Sequence, residues 1–186
     1  MIESFPELTT ERLHLTEIHD SDLGSVFELF STPEVVKYYD LEVFQDVVQA
    51  ENLLQLFHSR YQSASGIRWA IRLPQNGKLI GTCGFNSWNE AMRNASIGYD
   101  LMPEYWSKGF ATEAVKGIVQ AAFLGQLPCG SLHRIQADTM PGNQASEKVL
   151  LKLGFKEEGV RRDCLYIKGQ YVNLKCFGLL KSEFRN

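Results

Sequence analysis

A turn of small residues between a strand and a long amphipathic helix restricts this chain more than any other feature. Ala95 to Leu101 alternates as a strand does, and Tyr105-Trp106-Ser107-Lys108-Gly109-Phe110-Ala111-Thr112-Glu113-Ala114 follows it. From Phe110 onward, Ala111, Ala114, Val115, Ile118, Val119 and Ala122 form a wide apolar helical stripe. The helix therefore opens straight out of the turn, where backbone N–H groups have no partner in the helix ladder. Those groups and the helix dipole favour a negatively charged ligand, typically a phosphate. A P-loop needs G-x-x-x-x-G-K-[ST], and no such run is present. A dinucleotide fingerprint needs G-x-G-x-x-G and an acid about 20 residues later. Only Gly109 and Ala111 match it, and no convincing acid follows.

The rest of the chain surrounds this turn with an ordered series of elements. Arg12 to Ile18 alternates as a strand. Asp20 or Ser21 caps a helix carrying Leu23, Val26, Phe27 and Phe30, and Thr32-Pro33-Glu34 is a second helix start. A longer helix is expected from about Val43 to Ser63, with Val47, Leu54 and Phe57 near its apolar side. Strands over Ile67–Leu73, Lys78–Trp88 and Ala95–Leu101 form an antiparallel meander, turned at Pro74-Gln75-Asn76-Gly77 and at Asn89 to Asn94. After the central helix, a strand over His133–Thr139 completes a strand–helix–strand crossover. Asn143 caps a short helix that Gly154 closes. Strands over about Lys156–Arg162 and Tyr171–Lys181 end the series. The order β-α-α-β-β-β-α-β-α-β-β predicts a mixed α/β (α+β) sheet flanked by helices.

Composition removes several function classes. The 186 residues fit one domain, taken as 1–186, and are 44% hydrophobic and 22% charged. A net charge of -3 provides no basic field for nucleic acid. No apolar run approaches the roughly 18 residues of a membrane span. The N-terminal Met1-Ile2-Glu3-Ser4-Phe5-Pro6 lacks a signal pattern, and Cys83, Cys129, Cys164 and Cys176 are scattered without a C-x-x-C pair. Both features suit a cytoplasmic protein. His14, His19, His58 and His133 show no ligand spacing, so no metal is expected.

Ile97-Gly98-Tyr99, the turn from Tyr105 to Ala114, Asn143-Gln144-Ala145-Ser146-Glu147-Lys148-Val149-Leu150 and Lys152-Leu153-Gly154-Phe155 occur in an informative order. Together they resemble the GNAT superfamily of N-acetyltransferases. Leu8-Thr9-Thr10-Glu11-Arg12-Leu13 and Gly169-Gln170-Tyr171 resemble its RimJ/RimL branch, the ribosomal-protein N-terminal acetyltransferases. The resemblance covers nearly the whole chain. It implies a mostly antiparallel sheet of about seven strands with about four helices, and a V-shaped splay between the fourth and fifth strands. It implies acetyl-CoA as donor and a primary amine as acceptor. By the same resemblance that amine belongs to a protein N-terminus or to a small molecule such as an amino acid, polyamine or antibiotic. A non-catalytic acyl-CoA-binding module is a further alternative. Monomer and homodimer are both compatible with the sequence.

By that resemblance the pyrophosphate of coenzyme A lies on R/Q-x-x-G-x-G/A, here Trp106 to Ala111. Trp106 replaces Arg/Gln, and Ser107 stands where glycine is common, which requires a backbone angle compatible with a Cβ. Ser107, Lys108, Gly109, Phe110, Ala111 and Thr112 are expected at the phosphates, and backbone groups of Leu101 and Met102 along the pantetheine arm. Asn143 is a helix cap from its position and a coenzyme contact by resemblance. Relatives often place a tyrosine acid seven residues after this asparagine, where Leu150 stands, so the branch points to Ser146 as the acid for the leaving thiolate. Their usual glutamate base falls on Ser96; Asp100, on the same strand face by alternation, and Glu104 are the remaining candidates. Trp69, Trp88, Tyr38, Tyr39 and Phe44 are candidates to line the acceptor cleft.

Overall fold

The structure is a computed structural model and describes residues 4–185. Its strands are β1 (Leu8–Thr9), β2 (His14–Thr16), β3 (Ile67–Arg72), β4 (Leu79–Asn89), β5 (Asn94–Leu101), β6 (Arg134–Thr139), β7 (Lys156–Ile167) and β8 (Gln170–Leu180). The helices are α1 (Leu23–Phe30), α2 (Pro33–Val36), α3 (Val47–Gln62), α4 (Phe110–Leu124) and α5 (Gln144–Lys152). The strands form a single sheet in the order β1-β2-β3-β4-β5-β6-β8-β7. Every neighbouring pair is antiparallel except β5–β6.

Alternation along the strands divides the core in two. Trp69, Ile71, Phe85 and Ile97 pack with Ala114, Val115, Ile118 and Val119 of α4 on one face. Ala70, Leu79 and Met102 pack with Val26, Phe30, Leu54 and Phe57 of α1 and α3 on the other. Burying the side chains of both faces provides the main driving force for the layered arrangement.

Among the described residues, eight strands replace the expected seven because Leu8–Thr9 pairs with β2. Two residues in a Thr-rich stretch carry no legible alternation. The helix started at Pro33 is a single turn, α2, and brings the α-helices among the described residues to five. Helix α3 begins at Val47 rather than near Val43. Asp46 caps it by accepting the Val48 N–H at 2.9 Å, and the Gln49 side chain returns to the Asp46 N–H at 3.1 Å. Val47 is then exposed, unlike Leu54 and Phe57. Strand β7 runs on to Ile167 through a register shift between Arg161 and Leu165, where Asp163 takes a positive φ.

The entrance to α4 is braced from the far end of the chain. Arg12 donates its backbone N–H to Glu113 Oε1 and its Nε to Oε2, both at 2.7 Å, and Thr10 Oγ1 donates to Oε1 at 2.6 Å. A second arm of Arg12 donates to the Lys108 carbonyl at 3.0 Å, and its guanidinium lies 4.6 Å above the Phe110 ring. The turn so held has two left-handed residues, Ser107 at φ 60° and Gly109 at φ 83°. Gly109 is free to adopt that angle; Ser107 adopts it despite its Cβ, at a cost of about 1–2 kcal/mol.

Two outcomes follow from this brace. Ser107→Gly relieves the left-handed strain and should raise the unfolding free energy by about 0.5–1 kcal/mol after the glycine's larger unfolded-state entropy is subtracted. A higher urea midpoint at unchanged m shows it; a lower midpoint contradicts it. Burial pushes the Glu113 carboxyl up, but the bonds from Thr10 and Arg12 outweigh burial and hold it below its ordinary 4.5. Its contribution to stability is therefore present above pH 4.5 and is lost as pH falls through the lowered value. Urea midpoints of Glu113→Gln and the wild type should differ most near neutrality and converge in acid; a gap that persists in acid rules this origin out.

Candidate active site

The crossover strands pair and then separate. β5 and β6 are in register only at Asn94–Arg134, Ala95–Ile135 and Ser96–Gln136. Farther on, β5 remains bonded to β4 as far as Leu101, and β6 remains bonded to β8 as far as Thr139. Residues 97–101 and 137–139 thus form the arms of a V with no ladder between them.

The braced turn lies at the open end of β5. Glu113 N–H bonds the Gly109 carbonyl at 3.0 Å as the helix begins, which leaves the N–H groups of Phe110, Ala111 and Thr112 outside the ladder. Trp106 Nε1 donates to the Leu101 carbonyl at 2.7 Å, so the residue replacing Arg/Gln ties the turn to the strand end. Lys108 leans over Tyr105, with Nζ 5.6 Å from the ring centroid. Met102 is elsewhere: its N–H bonds Ile80, its carbonyl accepts from Tyr105, both at 2.9 Å, and its side chain is buried between the sheet and α1. The Met102 N–H is thereby committed, while its carbonyl, like that of Leu101, already accepts one hydrogen bond and has a second lone pair. At the end of the opposite arm, the Thr139 hydroxyl is buried without a hydrogen-bond partner. An orphaned hydroxyl is costly in an apolar interior and suits a polar ligand in the V.

Asn143 caps α5, its Oδ1 accepting the Ser146 N–H at 3.2 Å. Ser146 Oγ lies 2.8 Å from the Tyr99 hydroxyl, which also reaches the Ser146 carbonyl at 3.1 Å. This contact joins β5 to the helix following β6. Leu150, by contrast, is fully buried in the α4-side core.

Asp100 is the centre of a closed polar cluster. It forms an ion pair with Arg68 in which both side chains are only 3% exposed. Thr82 donates its N–H to Oδ1 at 3.1 Å and its hydroxyl at 2.9 Å, and the Tyr39 hydroxyl donates to Oδ2 at 3.3 Å. Burial opposes the Arg68 charge, but Tyr39 and Asp100 outweigh it and hold the guanidinium protonated. Burial also raises the Tyr39 phenol well above its usual range. Both Asp100 oxygens are engaged in this cluster rather than free to accept a proton from an incoming amine. Glu104 lies away from it in a surface pair with Lys78 at 3.1 Å, and the Lys78 hydrogen bond lowers its carboxyl. Ser96 lies where β5 and β6 are still paired.

Of the expected aromatic wall, Trp69 and Trp88 belong to the α4-side core and Phe44 packs on Phe30. Tyr39 packs on Phe30 with its hydroxyl in the Arg68–Asp100 cluster. Tyr38 lies against Gly142, where an added Cβ would meet its hydroxyl at 3.6 Å. Lys168, at the β7–β8 turn, donates to the Val36 carbonyl at 2.7 Å and so ties that hairpin to α2.

Sequence reasoning missed Tyr99, Arg68 and the bracing role of Thr10 and Arg12. Tyr99 carried a signal, a polar-tipped ring in an otherwise small or apolar strand segment. Arg68 carried one too, as a charge in the buried strand Ile67–Arg72. Among the described residues, no group of three or more His, Cys, Asp or Glu is placed to hold a metal, and no helix is long and apolar enough to cross a membrane.

Residues 12–156 match the family model for the acetyltransferase (GNAT) domain. The uncharacterized N-acetyltransferase YoaA of Bacillus subtilis (strain 168) is 39% identical over 177 residues, which is 95% of this chain and 98% of its own. The ribosomal protein uS5-alanine N-acetyltransferase of Escherichia coli (strain K12) is 25% identical over 173 residues, 88% of this chain and 85% of its own. Among solved structures, a spermidine N-acetyltransferase from Vibrio cholerae in complex with CoA and spermine is similar at TM-score 0.79 and 23% identity, over 94% of this chain and 99% of that one. A family match across most of the chain agrees with the splayed strands and the helix-entrance turn, and this chain belongs to the GNAT family of N-acetyltransferases.

Proposed function

We propose that this N-acetyltransferase takes acetyl from acetyl-CoA and transfers it to the α-amine of a protein N-terminus, as its ribosomal-protein relative does. The turn of residues 106–112 holds the pyrophosphate through the open N–H groups of Phe110, Ala111 and Thr112, where the helix dipole adds to the attraction. Ser107, Lys108 and Gly109 shape that turn, and Trp106 fixes it to β5. The pantetheine arm occupies the V between Leu101 and Thr139, and Asn143 borders it from α5. Holding donor and amine together in this cleft supplies much of the acceleration, because effective molarity is worth roughly 7–11 kcal/mol. Ser146 supplies the proton for the leaving sulfur. The amine's own proton passes to solvent, since Asp100 is enclosed by its partners.

The choice of acceptor rests on one observation. Three carboxylates on the elements that form the V have a cation of this chain beside them: Asp100 has Arg68, Asp138 has Arg161 and Glu147 has Lys175. A polyamine needs uncompensated acidic walls to hold its several charges, whereas a peptide end presents a single amine. The hairpin tie from Lys168 to α2 and the contact of Tyr38 with Gly142 narrow the approach to an extended segment.

An acceptor panel with radiolabelled acetyl-CoA tests this reading. Short peptides with free N-termini should be acetylated with kcat/KM at least about tenfold above spermidine, free amino acids and aminoglycosides, a difference of 1.4 kcal/mol. A small amine that outperforms every peptide overturns the acceptor assignment. CoA binding with no turnover on any acceptor would favour a non-catalytic binding module.

A further inference from the structure

The hydroxyls of Tyr99 and Ser146 share two protons between two contacts. Tyr99 Oη lies 2.8 Å from Ser146 Oγ and 3.1 Å from the Ser146 carbonyl. In one arrangement Tyr99 donates to the carbonyl and Ser146 donates to Tyr99, so the serine proton is turned away from the V. In the other, Tyr99 donates to Ser146 Oγ and the serine proton is free. The second arrangement leaves no buried acceptor stranded, because Ser146 lies in the first turn of α5 and its carbonyl is within reach of the helix ladder. Interconversion needs only rotation about two C–O bonds.

We propose that Tyr99 is the positioning residue for Ser146, donating to its Oγ and thereby directing the serine proton into the V. The proposal rests on the reading of Ser146 as the acid. The two residues come from opposite arms, Tyr99 from β5 and Ser146 from the helix after β6, so their contact spans the place where the arms part. As the amine N–C bond forms and the C–S bond breaks, the electron pair goes to sulfur, which takes the Ser146 proton. A proton equivalent to the one the amine sheds restores Ser146. Tyr99 keeps its proton throughout: burial pushes its phenol up to about 12, even against the lowering effect of the Ser146 hydrogen bond. Tyr99 also accounts for the absence of a hydroxyl at Leu150. That position is sealed in the core, and the second hydroxyl of the site comes from the strand instead.

The test is a double-mutant cycle on the full chain with Tyr99→Phe, Ser146→Ala and both together, each with a melting temperature to establish folding. Ser146→Ala should lower kcat about 100-fold. Tyr99→Phe should lower kcat about tenfold, the effect of one lost hydrogen bond, with KM for acetyl-CoA within about twofold of wild type. In the Ser146→Ala background, Tyr99→Phe should add nothing. A slow Ser146→Ala with a wild-type Tyr99→Phe overturns the Tyr99 proposal alone. Equal losses from Tyr99→Phe in both backgrounds also overturn it, since Tyr99 would then act without Ser146. A wild-type rate for Ser146→Ala overturns the acid reading itself.

Discussion

The structure depends on a failure of pairing. Parallel β5 and β6 start as ordinary neighbours and then part after Ser96 and Gln136, each retaining a partner on its outer side. Unpaired backbone and an orphaned Thr139 hydroxyl would be costly in a closed sheet. They make sense as the walls of a slot for an extended ligand. The arms remain joined at one level by side chains, through the hydroxyls of Tyr99 and Ser146.

The turn at the mouth of the slot depends on a long-range contact. A glycine and a serine in left-handed conformations do not hold their shape unaided. Here the N-terminal segment supplies the restraint: Thr10 and Arg12 grip Glu113, and Arg12 reaches on to the Lys108 carbonyl. Residues separated by about a hundred positions therefore determine where the open N–H groups point. On the other sheet face, the Arg68–Asp100 pair with Thr82 and Tyr39 fixes the α2 side of the cleft to β3, β4 and β5. Such a buried pair adds little net stability compared with apolar packing, but losing one partner is expensive. Its value here is a fixed position for Tyr39 against β3, β4 and β5.

Local patterns made much of this legible. The stripe of α4, the Asn143 cap and the meander strands depend on neighbours in sequence, and they lie where periodicity and capping place them. The ordered glycine, asparagine and aromatic motifs likewise resemble those of the family. What escaped depends on tertiary context. The Leu8–Thr9 strand exists only because β2 pairs with it, and Asp100 is a buried ion-pair partner only because β3 brings Arg68 beside it. The Met102 side chain continues the strand alternation into the α1-side core. The Tyr99–Ser146 contact crosses from one arm of the V to the helix beyond the other, and no spacing within either segment foretells it.

The central claim is that the α4 entrance holds the phosphates of coenzyme A. Titration calorimetry of Thr112→Asp with CoA, and with pantetheine as a phosphate-free probe, tests it most directly. An acid in the first turn suits the helix dipole, so the variant should remain folded while its charge repels the pyrophosphate. The account predicts CoA affinity at least about tenfold weaker, a loss of 1.4 kcal/mol, with pantetheine binding unchanged. Wild-type affinity for CoA in a folded Thr112→Asp protein would contradict it.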